Sequence, residues 1–219
     1  MHFEILVEDA SGELLLGSLL PKILGKNGDL HTWRTHAYKG IGRIPRDLRG
    51  KTDPSKRILL GRLPKVLAGY GRSHQGSGSA VVVVVDLDDR DCAAFKQELL
   101  QVLKRCHPKP RVLFRFAIEE MEAWLLGERN AILKEFPRAK VHVLDSYIQD
   151  SICGTWETLA DAVFPGGSNA LKAEGWPRTG QEKCKWASQI GQHLSVESNL
   201  SPSLHAFRIG VLKMSGAEV

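Results

Sequence analysis

The sequence predicts an α/β fold: an open, mostly parallel sheet flanked by helices, followed by a helical C-terminal part. Three observations carry that expectation. Residues 81–85 are five consecutive valines, a run that suits a strand covered on both faces in the middle of a parallel sheet. Strand-like and helical segments alternate through the first two thirds of the chain, the pattern of a layered α/β sheet. After about residue 145 the apolar spacing is helical only. The expected division is a core over 1–145 and a helical extension over 146–219 packed on it.

The elements follow in order. Residues 3–8 form a short β-type run ending in Glu8-Asp9. Ser11-Gly12 opens a helical stretch with Leu15, Leu16, Leu19, Leu20, Ile23 and Leu24 on one broad face, with Pro21 as a potential kink and Gly25 and Gly28 beyond its end. Residues 31–37 read as a second strand, and the glycines and proline of 40–52 as an irregular basic loop. Asp53-Pro54 has the form of an N-cap followed by proline at the first helical position. Ile58, Leu59, Leu63, Val66 and Leu67 supply that helix's apolar stripe. Residues 69–79, rich in Gly and Ser, read as a turn or loop. The valine strand runs into Asp86-Leu87-Asp88-Asp89. Helices are expected over 91–106, 118–127, 156–164, 181–193 and 202–214, and strands over 111–117 and 141–144. Ser201-Pro202 reads as another N-cap with proline behind it.

Composition narrows the class. The chain has 219 residues, 42% apolar and 25% charged, which excludes collagenous, disordered and disulfide-scaffold proteins. The opening residues 1–8, with an acid after three apolar positions and no basic start, do not read as a signal peptide, and no apolar run approaches the roughly 18–20 residues that span a bilayer. Cys92, Cys106, Cys153 and Cys184 are widely spaced and read as reduced thiols in a cytoplasmic protein. The net charge is only +5, but eleven basic residues stand against two acids, Asp47 and Asp53, in the stretch 34–72. Such asymmetry points to an anionic partner, with a solvated helical face as the plain alternative. Within it, His36, Lys39, Arg43, Arg46, Arg49 and Lys51 are the expected nucleic-acid contacts, made to the phosphate backbone without reading sequence.

Three acidic groups follow three strands: Glu8, then Asp86 and Asp88, then Glu119, Glu120 and Glu122. Ligands of open α/β sheets bind beyond the carboxyl ends of the strands, so parallel strands deliver all three groups to one edge. Asp-x-Asp places two carboxylates where they can share a hard cation, which suits Mg²⁺ with water and phosphate oxygens completing its shell. On a helix, Glu119 and Glu122 share one face, opposite Ile118, Met121 and Leu125. Trp124, Trp156, Trp176 and Trp186 read as packing residues. No P-loop is present, since Gly76-x-Gly78 precedes a strand.

The residues Leu6-Val7-Glu8-x-x-Ser11-x-Glu13, His36-x-x-Lys39-Gly40, Leu63-Pro64-x-x-Leu67-x-Gly69-Tyr70, Val84-Val85-Asp86-x-Asp88, Glu120-x-Glu122-Ala123-Trp124-Leu125-Leu126-Gly127 and Asn199-x-Ser201-Pro202-Ser203 together resemble the bacterial family called domain of unknown function four-two-seven-six. The resemblance spans nearly the whole chain. It implies a TOPRIM-like core similar to that of topoisomerases, primases and overcoming-lysogenization-defect nucleases. In those proteins a glutamate after the first strand and an Asp-x-Asp after a later one serve metal-dependent phosphoryl transfer. By resemblance, those catalytic roles fall on Glu8, Asp86 and Asp88. Glu120 and Glu122, behind the next strand, are expected to complete or support the shell of a Mg²⁺ or Mn²⁺ ion. The usual TOPRIM glutamate is followed by glycine, whereas Asp9 stands here. The resemblance also implies a phage-defence setting and an ATPase partner encoded nearby. The resulting expectation is a metal-dependent nuclease or related hydrolase. A non-catalytic binding subunit is the alternative, and a metal-dependent transferase using Asp-x-Asp on a nucleotide-linked substrate is a third possibility.

Overall fold

A computed structural model describes residues 1–44, 58–74, 76 and 78–217. The expected helix start at Asp53-Pro54 and the basic residues Arg46, Arg49 and Lys51 lie outside the described residues. Among those described, four strands form one all-parallel sheet: β1 (His2–Val7), β2 (Thr32–Ala37), β3 (Ser79–Asp86) and β4 (Val112–Ala117), in the order β2-β1-β3-β4. The valine strand is interior, paired with β1 through Val7↔Val84 and with β4 through Val85↔Phe116.

Alternation along β3 builds two cores. Val81, Val83 and Val85 pack under helices α2 (Leu59–Ser73) and α3 (Cys92–Lys104), against Leu63, Leu67, Phe95 and Leu99. Val82 and Val84 face the other layer with Phe3, Ile5 and Val7. That layer begins with α1 (Ala10–Leu24), whose leucines 15, 16, 19 and 20 are fully buried. It continues with α4 (Glu122–Leu126), α5 (Arg129–Glu135), α6 (Val141–Ser146), α7 (Thr155–Val163), α8 (Gly167–Ala173), α9 (Trp176–Gly191) and α10 (Pro202–Ser215). Burial on both faces is why the valine run has no polar alternation.

Two features place α9 for the site. Lys22 of α1 donates to the carbonyls of Gly191, Gln192 and Leu194, satisfying the end of α9. Gly191 lets the helices approach closely, since a Cβ there would stand 3.1 Å from Leu15 Cδ1 and 3.3 Å from Ser18 Oγ.

The structure corrects several expectations. Residues 141–144 are the start of helix α6, not a strand: Leu144 and Tyr147, three apart, are buried while Val141 is exposed. Four apolar-rich residues do not distinguish the two periods. Helix α2 continues to Ser73, so glycines 69 and 71 are helical rather than loop. Gly71 is required small, because a Cβ would meet the Pro108 carbonyl oxygen at 2.0 Å. The helix expected over 118–127 begins only at Glu122, because Glu119 has φ +60 and cannot sit in it. Trp124, Trp156 and Trp186 are core as expected, but Trp176 is 68% exposed. Helices α5 and α8 have no counterpart in the reading of the sequence.

Asp9 and Ser201 are side-chain N-caps of α1 and α10, accepting from the N–H of Gly12 and Leu204. At the α1 cap a Cβ on Gly12 would meet Val7 Cγ2 at 2.5 Å, so only glycine fits where the helix turns back over its strand.

The motifs around Trp124 and Ser201 are two halves of one structural joint. Trp124 Nε1 donates to Ser203 Oγ at 2.8 Å, and Asn199 Nδ2 donates to the Trp124 carbonyl at 2.8 Å. Asp150 accepts from Ser201 Oγ and from the Ser203 N–H, both at 2.7 Å. Leu200 N–H reaches the Gly127 carbonyl.

Candidate metal centre at the carboxyl edge

All strands being parallel, the ends of β1, β3 and β4 open at one edge, and the sequence places a carboxylate at each. Glu8 follows β1 directly. Its Oε2 accepts from the Asp86 N–H at 3.4 Å, which brings the end of β3 against it. Asp86 is the last residue of β3 and points toward the α1/α9 layer, its Oδ1 fully buried with no hydrogen-bond donor among the described residues. Asp88 is 44% exposed at its side chain, has φ +52, and stands 3.9 Å from Arg90. Its N–H bonds the Glu119 carbonyl at 2.9 Å, so the loops after β3 and β4 hold each other in unusual backbone conformations.

The residues after β4 separate into different tasks. Glu119 is not on the helix face expected for it. Its carboxylate accepts from the N–H groups of Cys153, Gly154 and Thr155 and caps α7. Glu120 and Glu122 turn toward Lys183 of α9, whose ammonium lies 3.3 Å from Glu120 Oε1 and 3.2 Å from Glu122 Oε2. The Glu122 contact is an ion pair whose alignment is not that of a hydrogen bond.

The electrostatics follow from this crowding. Burial, then the charges of Asp88 and Asp9, push Glu8 up to about 7, against the pull of the Asp86 and Ile41 N–H groups. Burial pushes Asp86 well above the usual carboxylate range, with Glu8 adding to it and Lys183 opposing. Burial likewise raises Glu120 to about 7 and raises Glu122, in both cases against Lys183. Burial raises Asp88, and Arg90 opposes it. Lys183 is held above its ordinary range: burial works against its charge, but Glu122, Glu120, Asp86 and Asp9 outweigh it. One ammonium thus serves a group of carboxylates that outnumber it.

Of the expected ligands, Glu8 and Asp86 form one subset at the strand ends with Asp88 on the loop just beyond, and no choice of one oxygen from each brings the three within 4.8 Å of one another, while Glu120 and Glu122 are engaged by Lys183. Asp88 and Glu120 line an open recess of about 280 Å³ with Asp89, Glu119 and Trp156. Among the expected phosphate contacts, Arg43 is exposed and shares a larger cleft with Arg90, the partner of Asp88. Lys39 is exposed on the turn after β2. His36 is turned away from this edge and bonds Glu4 within the sheet.

Lys183 and the capping role of Asp9 are the residues that reading the sequence missed. Asp9 stands beside Glu8, and Ser11 and Gly12 behind it were the available signal for a cap. Lys183 carries no local signal, since only tertiary packing brings α9 over the edge. Comparisons with protein-family models, with curated proteins and with solved structures find no match. No helix among the described residues is long and apolar enough to cross a membrane.

Proposed function

We propose that the protein is a divalent-metal-dependent phosphodiesterase acting on nucleic acid, built on a TOPRIM-like core. The observation that carries this reading is Asp86: a buried carboxylate with an oxygen that has no donor among the described residues, its own N–H bonded to Glu8. A buried, unpartnered carboxylate oxygen is costly unless a cation takes it up. An all-oxygen donor set of this kind fits a hard cation, Mg²⁺ or Mn²⁺, held by Glu8, Asp86 and Asp88. Such an ion supplies charge neutralisation at a scissile phosphate and acidifies bound water.

The chain's own groups complete the site. Glu8, raised to about 7 while no cation is present, would give up its proton when an ion binds and act there as a ligand. Lys183 compensates Glu120 and Glu122, fixing both away from the strand-end subset. Arg43 and Arg90, which share a cleft next to Asp88, would offer cations to a phosphate backbone there. The TOPRIM-like assignment, an ATPase partner and a phage-defence role rest on the family resemblance.

The test is cleavage of DNA and RNA by the purified chain with Mg²⁺ or Mn²⁺, comparing wild type, Asp86→Asn and the exposed control Asp29→Asn. Activity in wild type and control but not in Asp86→Asn supports the reading. Without cleavage, but with nucleic-acid binding unaffected by Asp86→Asn, the chain is a binding subunit. That second reading is favoured by one observation, that Lys183 already neutralises part of the acidic group without a metal.

A further inference from the structure

A second constellation lies on the α2 face of the sheet, near the start of β1 and away from the acidic edge. Glu4 and His2 are two apart on β1 and share that face. Glu4 is 8% exposed, and four side chains surround it. His2 Nε2 lies 3.2 Å from Oε1, while His36 Nε2 and the Tyr70 hydroxyl both reach Oε2. His74, the residue that ends α2, stacks on His2 with ring centroids 6.2 Å apart and meets Tyr70 edge-on at 5.2 Å. One ligand atom from each of His2, Glu4 and His74 lies within 4.8 Å of the other two.

We propose that His2, Glu4 and His74 bind a borderline divalent transition metal of the Zn²⁺ class, at a site separate from the acidic edge. Three observations carry this. The donors are two imidazoles and one carboxylate, a set that suits Zn²⁺ and its neighbours and does not suit Mg²⁺, which takes oxygens. The histidines are oriented from behind as metal-binding histidines usually are. His2 Nδ1 lies 2.7 Å from Thr32 Oγ1, and His74 Nδ1 lies 2.7 Å from Ser73 Oγ. A hydroxyl both donates and accepts, so Thr32 can accept from Nδ1–H when Nε2 is taken up by a metal. Finally, the backbone is fixed where the ligands stand: the His2 N–H bonds the Gly78 carbonyl at 2.8 Å, and the His74 N–H bonds the Tyr70 carbonyl at 2.8 Å.

Ligand atoms around a tetrahedral Zn²⁺ stand roughly 3.3–3.5 Å apart, so a modest turn of the imidazoles draws the set together. His36, already on Glu4, is placed to hold the carboxylate's second oxygen. The ion would clamp the end of α2 to β1 and, through His36 and Thr32, to edge strand β2.

The test uses the untagged full chain, stripped with chelator and titrated with Zn²⁺ by calorimetry and thermal melting. One equivalent should bind and raise Tm, and Mg²⁺ should not compete for it. His74→Ala and His2→Gln should each weaken Zn²⁺ binding at least about tenfold, whereas Asp86→Asn should retain it. Co²⁺ in wild type should give the intense visible bands of a low-coordinate site with nitrogen ligands, which decides the matter even if both variants fail to fold. Absence of a Zn²⁺-dependent rise in Tm, wild-type affinity in both variants, or the weak spectrum of six-coordinate Co²⁺ overturns the proposal and leaves a hydrogen-bonded network.

Discussion

The ammonium of Lys183 stands 3.2 Å from Glu122 Oε2, with only 9% and 2% of the two side chains exposed. Helix α9 and the turn after β4 are thus locked together by charges that neither water nor salt screens well. Removing one partner strands the other. Lys183→Met should cost about 3–5 kcal/mol. Adding Glu122→Gln should recover a substantial part of that loss. Urea unfolding of the single and double variants without metal measures both. A double variant no more stable than Lys183→Met would mean that the lysine acts through packing alone.

Stability should also fall with rising pH when no metal is present. Glu8 and Glu120 are raised from the usual 4.5 to about 7, so between those values the folded state holds protons that the unfolded state has lost. Their favourable contribution is complete below about pH 4.5 and disappears as pH passes 7. Glu4, held below its ordinary value by His36, His2 and Tyr70 against burial, changes stability only in more acid solution, and Lys183 only in strongly alkaline. Between pH 5 and pH 8 each of the two groups should withdraw about 2.5 kcal/mol, so the metal-free protein should lose on the order of 5 kcal/mol. Mg²⁺ or Mn²⁺ should restore more at pH 8 than at pH 5, because protons compete with the ion. Urea midpoints across that range, with and without cation, check both signs.

Much of the sheet was legible because its signals are local. Five valines name an interior strand, and Glu8, Asp86 and the Glu119–Glu122 cluster each stand directly behind a strand. What was not legible depends on distant partners. Glu119 and Glu122 share a helical face by spacing, yet the left-handed backbone at Glu119 sends its carboxylate to the start of α7 instead. Lys183 looks like any lysine of a polar helix until α1 and Lys22 anchor α9 over the edge. His36 reads as a surface cation at the head of a basic loop, and only β1 beside it supplies Glu4.

The joint between Trp124 and Asn199 should be structural and independent of the metal centre. Gly127 lies under Asn199, where a Cβ would meet Oδ1 at 2.1 Å and the Ser201 nitrogen at 3.0 Å. Gly127→Ala must push that segment away and break the buried bonds Asn199 makes to the Trp124 carbonyl and the Ser201 N–H. A cost of about 2–4 kcal/mol is expected from overpacking and the loss of buried hydrogen bonds. Any rise in Tm on adding Mg²⁺ should survive in the variant, measured below its lowered melting point. Loss of the cation response with little loss of stability would instead place this joint in the site.

The basic stretch yields the last prediction, which concerns affinity rather than stability. Lys39 and Arg43 are exposed after β2, and Arg43 shares a cleft with Arg90 beside Asp88. The same stretch carries Arg46, Arg49 and Lys51. If these cations meet a phosphate backbone, each neutralised phosphate releases condensed counterions, and affinity falls steeply as salt rises. Reversing Arg43, Arg46, Arg49 and Lys51 to Glu should weaken binding to all sequences alike. It should also flatten the log–log salt dependence by about 0.7–0.9 for each phosphate that is no longer neutralised. Asp86→Asn, at a buried position apart from these cations, should leave that slope unchanged. Fluorescence anisotropy with single- and double-stranded oligonucleotides over a salt series reads all three effects. Binding that ignores salt, or no binding at all, would assign the basic stretch to a protein partner.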